Sequence, residues 1–312
     1  MRGFDRESTC GVPFPGVKLP RERWTRTRAP LGAKGAVFDW ARVFGRTARR
    51  VVDLGCGNGR YLIASAVARP DVDHLGVELV PPAVKFASLR AGQRGLTNVK
   101  IAWGDANEFV LERCAPASVD EIHLYHPQPY FDRANAPRRQ LSPPILLAIH
   151  RALVPGGLFV FQTDNAAFAA YAREIVPALF AWSERTEPWP DAPAGRTLRE
   201  ITAKKLGFAI VRAEARRLDL SDDEASARVR AMPEPSFDAN RPAFRRGPRE
   251  GGAGGAVSGT KGGKAAAGPR KAARTQPAQG RGGGGTGRPP ARTGPAAGGA
   301  GPGPSPAPPR PK

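Results

Sequence analysis

The run Val51-Val-Asp53-Leu-Gly55-Cys-Gly57-Asn-Gly59 constrains the fold more than any other segment of the chain. A short apolar stretch ending in an acid reads as a buried strand. Three alternate glycines directly after it let the backbone pass close to a ligand. The helical pattern that follows, Tyr61–Ala68, turns the free N–H groups of its first turn toward the same space. Strand, glycine turn and helix in that order form the opening unit of a parallel α/β sheet.

The alternation continues downstream. His74–Glu78 reads as a second strand, and Pro81–Arg94 as a helix with prolines in its first turn. Val99–Trp103 and Val119–Tyr125 read as the third and fourth strands. Ser142-Pro-Pro opens a helix with Ile145, Ile149 and Leu153 at helical spacing, and Pro155-Gly-Gly ends it. Leu158–Thr163 is a fifth strand, and Ala166–Leu179 a helix capped by Asp164 or Asn165. Phe208–Ala215 is a late strand. The pattern predicts an α/β fold with a doubly wound, mostly parallel sheet over residues 36–218.

Two basic flanks surround this zone. Residues 1–35 read as an arm rich in Arg and Pro, and residues 219–312 as a polar linker followed by a Gly/Ala/Pro/Arg-rich tail. The chain holds 48 Lys+Arg against 28 Asp+Glu, a net charge of +20, of which +12 follows Phe244. The first 244 residues are therefore basic in their own right, which points to a polyanionic partner, a nucleic acid or an anionic membrane face. From Arg245 onward the only branched aliphatic residue is Val257 and there are no aromatics, so the tail is expected to be disordered. Cys10, Cys56 and Cys114 are scattered and form no C-x-x-C pair, which argues against a disulfide framework or a zinc site. No metal is expected. The N-terminus lacks a signal-peptide run, and no stretch approaches the roughly 18–20 apolar residues of a membrane span. The expectation is a soluble, cytoplasmic protein with no membrane partner.

The glycine run has the form Asp-x-Gly-x-Gly-x-Gly, whereas dinucleotide sites carry Gly-x-Gly-x-x-Gly. An acid ahead of the glycines suits an ammonium and would repel a pyrophosphate. Glu78, ending the second strand, can accept from both hydroxyls of a ribose. Asp105, in Gly104-Asp105-Ala106 after the third strand, can accept from an adenine amino group. Leu153-Val-Pro-Gly-Gly precedes the fifth strand. Together these residues resemble the class I S-adenosylmethionine methyltransferases. The resemblance implies a Rossmann-like fold whose late strand is antiparallel. It also implies S-adenosyl-L-methionine as cofactor, held by Asp53, Gly55, Gly57, Gly59, Glu78, Asp105 and Ala106.

A second set of residues narrows the resemblance. Ile122-His-Leu-Tyr-His-Pro127-Gln-Pro-Tyr130 continues to Arg138-Arg139. It is similar to the signature of the tRNA guanine-N7 methyltransferases, roughly Ile-His-Leu-Phe-Phe-Pro-Asp-Pro-Trp, then Lys, then Arg-Arg. Phe159-Val-Phe-Gln-Thr163-Asp164 resembles its Ala-Thr-Asp segment. Arg196-Thr197-Leu-Arg-Glu200 and Lys205-Leu-Gly207 resemble its Thr-x-x-Glu and Arg-Leu-Gly. The resemblance implies methyl transfer to guanine N7 of tRNA, at position 46 of the variable loop. It puts Gln128 at the catalytic position, where the family has Asp. It puts Asp132 at a substrate position, where the family has Lys. Asp164, Thr197 and Glu200 are then candidates to contact guanine and nearby RNA, and Arg138 and Arg139 to contact phosphates.

Alternatives stand beside these roles. Asp164 can be a helix N-cap, Thr197 and Glu200 can be surface-loop residues, and the arginine pair can be solvated. His123 and His126 are given no catalytic role, because guanine N7 has a lone pair and no proton to remove. Cys56 is read as merely small. Pro127-Gln-Pro129-Tyr130 also faintly resembles the Asp/Asn-Pro-Pro-aromatic loop of amine methyltransferases acting on RNA or protein. The changes at Gln128 and Asp132 would equally suit a catalytically weak tRNA-binding paralogue.

Overall fold

The computed structural model describes residues 7–239. The Gly/Ala/Pro/Arg-rich tail, with the disorder expected of it, lies outside the described residues. One sheet of eight strands organises the rest: β1 (Arg28–Ala29), β2 (Arg49–Leu54), β3 (Val72–Glu78), β4 (Val99–Trp103), β5 (Val119–Tyr125), β6 (Leu153–Thr163), β7 (Phe180–Arg185) and β8 (Val211–Arg217). Their spatial order is β1-β4-β3-β2-β5-β6-β8-β7. All neighbours from β1 to β6 are parallel, and β8 runs antiparallel to both β6 and β7.

The central strands are apolar because helices cover both faces of the sheet. Every residue of β3 is buried. The helices are α1 (Trp40–Phe44), α2 (Arg60–Ala68), α3 (Pro81–Gln93), α4 (Pro143–Ala152), α5 (Ala166–Ile175), α6 (Leu198–Lys205) and α7 (Asp222–Arg230). From β2 the chain winds outward through β3 and β4, then returns to place β5 on the other side of β2. The loops after β2 and β5 therefore diverge, and a crevice opens between them at the carboxyl ends of the strands.

The structure differs from the sequence reading in several places. Strand β6 starts at Leu153 and runs through Pro155-Gly-Gly, with a register irregularity opposite Val119–Glu121 absorbing the glycines. Helix α5 stops at Ile175, because Val176–Ala178 tightens into a 3-10 turn around Pro177. That turn frees Phe180–Arg185 to form β7, an edge strand absent from the sequence reading. The late strand is shifted to Val211–Arg217.

Residues 7–29 are packed against α3 and the edge of the sheet and do not stand off as an arm. Arg28–Ala29 pairs with β4. The Leu19 N–H donates to Gln93 O at 2.8 Å, and the Thr25 N–H to Gly92 O at 3.1 Å. Phe14 is buried, with the guanidinium carbons of Arg90 and Arg94 at 4.6 Å and 4.9 Å from its ring centroid. At the other end the fold continues past residue 218. Helix α7 opens with a capping box formed by Ser221 and Glu224. Beyond it Phe237 packs on Phe168 and Tyr171, with ring centroids 5.2 Å and 5.3 Å away. Among the described residues no helix is long and apolar enough to cross a membrane.

Candidate functional site

Two adjoining cavities of about 760 and 780 Å³ open in the crevice. Asp105, Ala106 and Arg138 line only the first; Thr163, Asp164 and Arg199 line only the second. Gly55, Glu78, Tyr125, His126 and Gln128 belong to both. The loop after β5 is therefore the partition, and Gln128 is exposed at the junction. This loop is backbone-strained: His126 and Tyr130 hold φ of +50° and +44°, a region that side-chain-bearing residues avoid.

Glu78 shapes the first cavity. Its carboxylate accepts from the Gly57 and Val80 N–H groups, both at 2.8 Å, which fixes its orientation and leaves lone pairs for further donors. Asp105 caps the short turn Ala106–Glu108, accepting from the Asn107 N–H at 2.7 Å. Gly59 sits at φ +75°, and a Cβ there would press on Ala87 at 3.0 Å, so a side chain at that position is strained. Asp53 lies behind the turn, 2% exposed, with one carboxylate oxygen lacking any hydrogen-bond partner. Burial, and secondarily the charge of Glu78, pushes its carboxyl up to about 8. Neither acid forms an ion pair among the described residues.

These features fit S-adenosylmethionine. A buried carboxyl with one unpartnered oxygen and a second acid beside it suit a ligand with net positive charge, and the sulfonium and ammonium provide it. Glu78 would hold the ribose, Asp105 and Ala106 the base, and the turn Gly55–Gly59 the methionyl end.

In the second cavity Asp164 is the central group. Its Oδ1 lies 3.0 Å from His126 Nδ1, and its Oδ2 accepts from Arg199 Nη2 at 2.5 Å. Burial raises this carboxyl, but the hydrogen bonds from His126 and Arg199 outweigh that effect and hold it at about 2. Asn165 caps α5, accepting from the Phe168 N–H, which leaves Asp164 free to face the cavity. Arg138 is exposed beside Tyr130, its guanidinium carbon 5.2 Å from the ring centroid.

Four residues expected at the substrate site are used elsewhere. Arg139 is 1% exposed. It donates to the carbonyls of Pro129, Tyr130, Pro235 and Phe237 and stacks on the Phe237 ring, so it is closed off from a surface phosphate. Glu200 is 0% exposed and pairs with Arg212 at 2.8 Å, while its other oxygen accepts from the Arg196 N–H. Thr197 caps α6 by accepting from the Glu200 N–H at 3.0 Å. Asp132 caps the 3-10 turn Arg133–Arg138 by accepting from the Ala134 N–H, and it lines neither cavity.

Three residues to which the sequence reading gave no role gather around Asp164: Arg199 and His126 line the second cavity, and Gln162 lies behind them. Arg199 sits within the Arg-Thr-Leu-Arg-Glu block, in the first turn of α6. His126 contacts Asp164 directly. Gln162 is wholly buried on the strand face it shares with Asp164. The period-two alternation of β6 could have revealed that shared face.

A strand-end acid, a glycine turn and two cavities separated by a single loop are the architecture of the Rossmann-like, S-adenosylmethionine-dependent methyltransferases. Residues 47–210 match the family model described as "Putative methyltransferase". The chain is 29% identical over 202 residues to the tRNA (guanine-N(7)-)-methyltransferase of Nitrosococcus oceani, covering 64% of this chain and 84% of that protein. It is 32% identical over 215 residues to the corresponding protein of Pseudomonas savastanoi pv. phaseolicola, covering 67% and 80%. The match to the Burkholderia vietnamiensis protein, 35% identical, spans 45% of this chain and 55% of that relative. The chain belongs to the tRNA (guanine-N(7)-)-methyltransferase family.

Proposed function

We propose that this protein transfers a methyl group from S-adenosylmethionine to guanine N7 in tRNA, at the variable loop, in the cytoplasm. The observation that carries the reading is the pair of cavities meeting at Gln128, with acids suited to a cationic nucleoside on one side and Asp164 on the other. S-adenosylmethionine supplies an electrophilic methyl when bound. Guanine N7 offers a lone pair and no proton, so the site needs no general base. The work of the protein is alignment and electrostatic support.

Gln128 presents an amide oxygen that can accept from guanine N1–H or its amino group. As a neutral acceptor its hydrogen bonds are roughly half as strong as those of a carboxylate. Asp164 remains ionised at neutral pH and faces the space where the purine becomes cationic. Arg138, exposed at the rim, is placed to meet a phosphate. The basic balance of the chain adds salt-sensitive affinity for tRNA.

The test incubates purified protein with labelled S-adenosylmethionine and unmodified tRNA, followed by nucleoside analysis. A 7-methylguanosine peak is expected. Absence of any methylated nucleoside, with tRNA binding intact, would favour a non-catalytic paralogue. A different methylated nucleoside would favour an amine methyltransferase.

A further inference from the structure

Behind Asp164 lies a chain of buried polar groups whose donor and acceptor roles are all determined by one of them. The Trp189 indole N–H can only donate, and it meets Gln162 Oε1 at 2.5 Å. That contact sets the orientation of the Gln162 amide. Its Nε2 is then a donor, 2.8 Å from His126 Nε2. His126 Nε2 must therefore accept, and the ring proton belongs on Nδ1, which lies 3.0 Å from Asp164 Oδ1. Trp189 and Gln162 are fully buried, and the His126 and Asp164 side chains are 6% and 8% exposed. The backbone ties the same residues together, since the His126 N–H donates to Gln162 O at 2.6 Å while His126 holds its positive φ.

We propose that His126 is a positioning residue, fixed as the Nδ1–H tautomer by Gln162 and Trp189, and that it aims the Asp164 carboxylate into the substrate cavity. Arg199 closes the arrangement from α6 by holding the second oxygen. An aspartate at the end of a strand would otherwise rotate about its side-chain bonds. Two charge-assisted hydrogen bonds from opposite sides remove that freedom before substrate arrives. His126 exchanges no proton with substrate and acts through Asp164. The inference rests on the cleft being the methyl-transfer site proposed above.

The first readout needs no activity. The imidazole ¹⁵N spectrum of His126 is expected to show a protonated Nδ1 and an unprotonated Nε2. Gln162→Glu replaces the donor with an acceptor, so a proton should appear on Nε2. The second readout is kinetic. His126→Phe is expected to lower kcat/KM for tRNA at least tenfold. His126→Asn, which keeps a donor toward Asp164, should recover at least threefold of that loss. Trp189→Phe, which removes the indole N–H together with the ring that carries it, should weaken kcat/KM in the same direction. In an Asp164→Ala background, His126→Phe should have no further effect. A wild-type His126 protonated on Nε2 overturns the proposal, as does an undiminished His126→Phe loss in the Asp164→Ala background. A wild-type protein that makes no 7-methylguanosine overturns the functional reading instead, and the nitrogen spectrum still decides the tautomer.

Discussion

Gln128 sits at the junction of two cavities where its relatives' motif would place a carboxylate, and Asp132 does something other than its position in that motif suggests. Gln128→Asp is expected to raise kcat about tenfold, the effect of roughly 1.4 kcal/mol from a charge-assisted hydrogen bond. Single-turnover kinetics with tRNA checks it, and an unchanged rate would remove Gln128 from the chemistry. Adding Asp132→Lys should lower stability by about 1 kcal/mol, since it deletes the cap on the Arg133–Arg138 turn. Asp53 makes a separate prediction. Its carboxyl ionises near 3.8 when unfolded and at about 8 in the fold. Between those values the fold keeps a proton that the unfolded chain has released, so this group makes stability fall as pH rises. Asp53→Asn should therefore gain on the wild type in thermal unfolding without ligand as pH goes from 5 to 8. A difference that stays constant with pH would contradict the shift.

At the level of elements, α6 brings Arg199 to the cavity, while its neighbours Thr197 and Glu200 secure the helix. Thr197→Ala should cost about 1 kcal/mol. Glu200→Ala strands Arg212 in the interior and should cost about 3–5 kcal/mol. Chemical denaturation of both variants separates this from a substrate role, which would change KM with stability intact. The same helix shows what the sequence could and could not reveal. Residue types at Thr197 and Glu200 were readable, but a side chain's partner depends on elements far away in sequence. Glu200 meets Arg212 on β8, and Arg139 meets carbonyls beyond α7. The glycine turn, Glu78 and Asp105 were legible because a strand, a turn and the next helix settle them locally. Strand β7 was hidden because Pro177 breaks the helical pattern only one residue before apolar spacing resumes.

For the molecule as a whole, the boundaries of the fold lie outside residues 36–218. Deleting residues 1–30 removes Phe14 from beneath two guanidinium groups and strips β1 from the edge of β4. The expected outcome is a lower unfolding temperature and poorer solubility. Reduced tRNA affinity with unchanged unfolding would restore the reading of a free arm. The far end carries its own consequence. Every strand of the sheet is complete at Arg217, yet Arg139 needs the carbonyls of Pro235 and Phe237, and Ala239 lines the second cavity. During synthesis the sheet can condense while the cleft still lacks part of its wall and the loop behind Gln128 lacks its anchor. The scaffold thus precedes the cleft, and a nascent chain with only its first 220 residues outside the ribosome would be folded in outline with the second cavity unfinished.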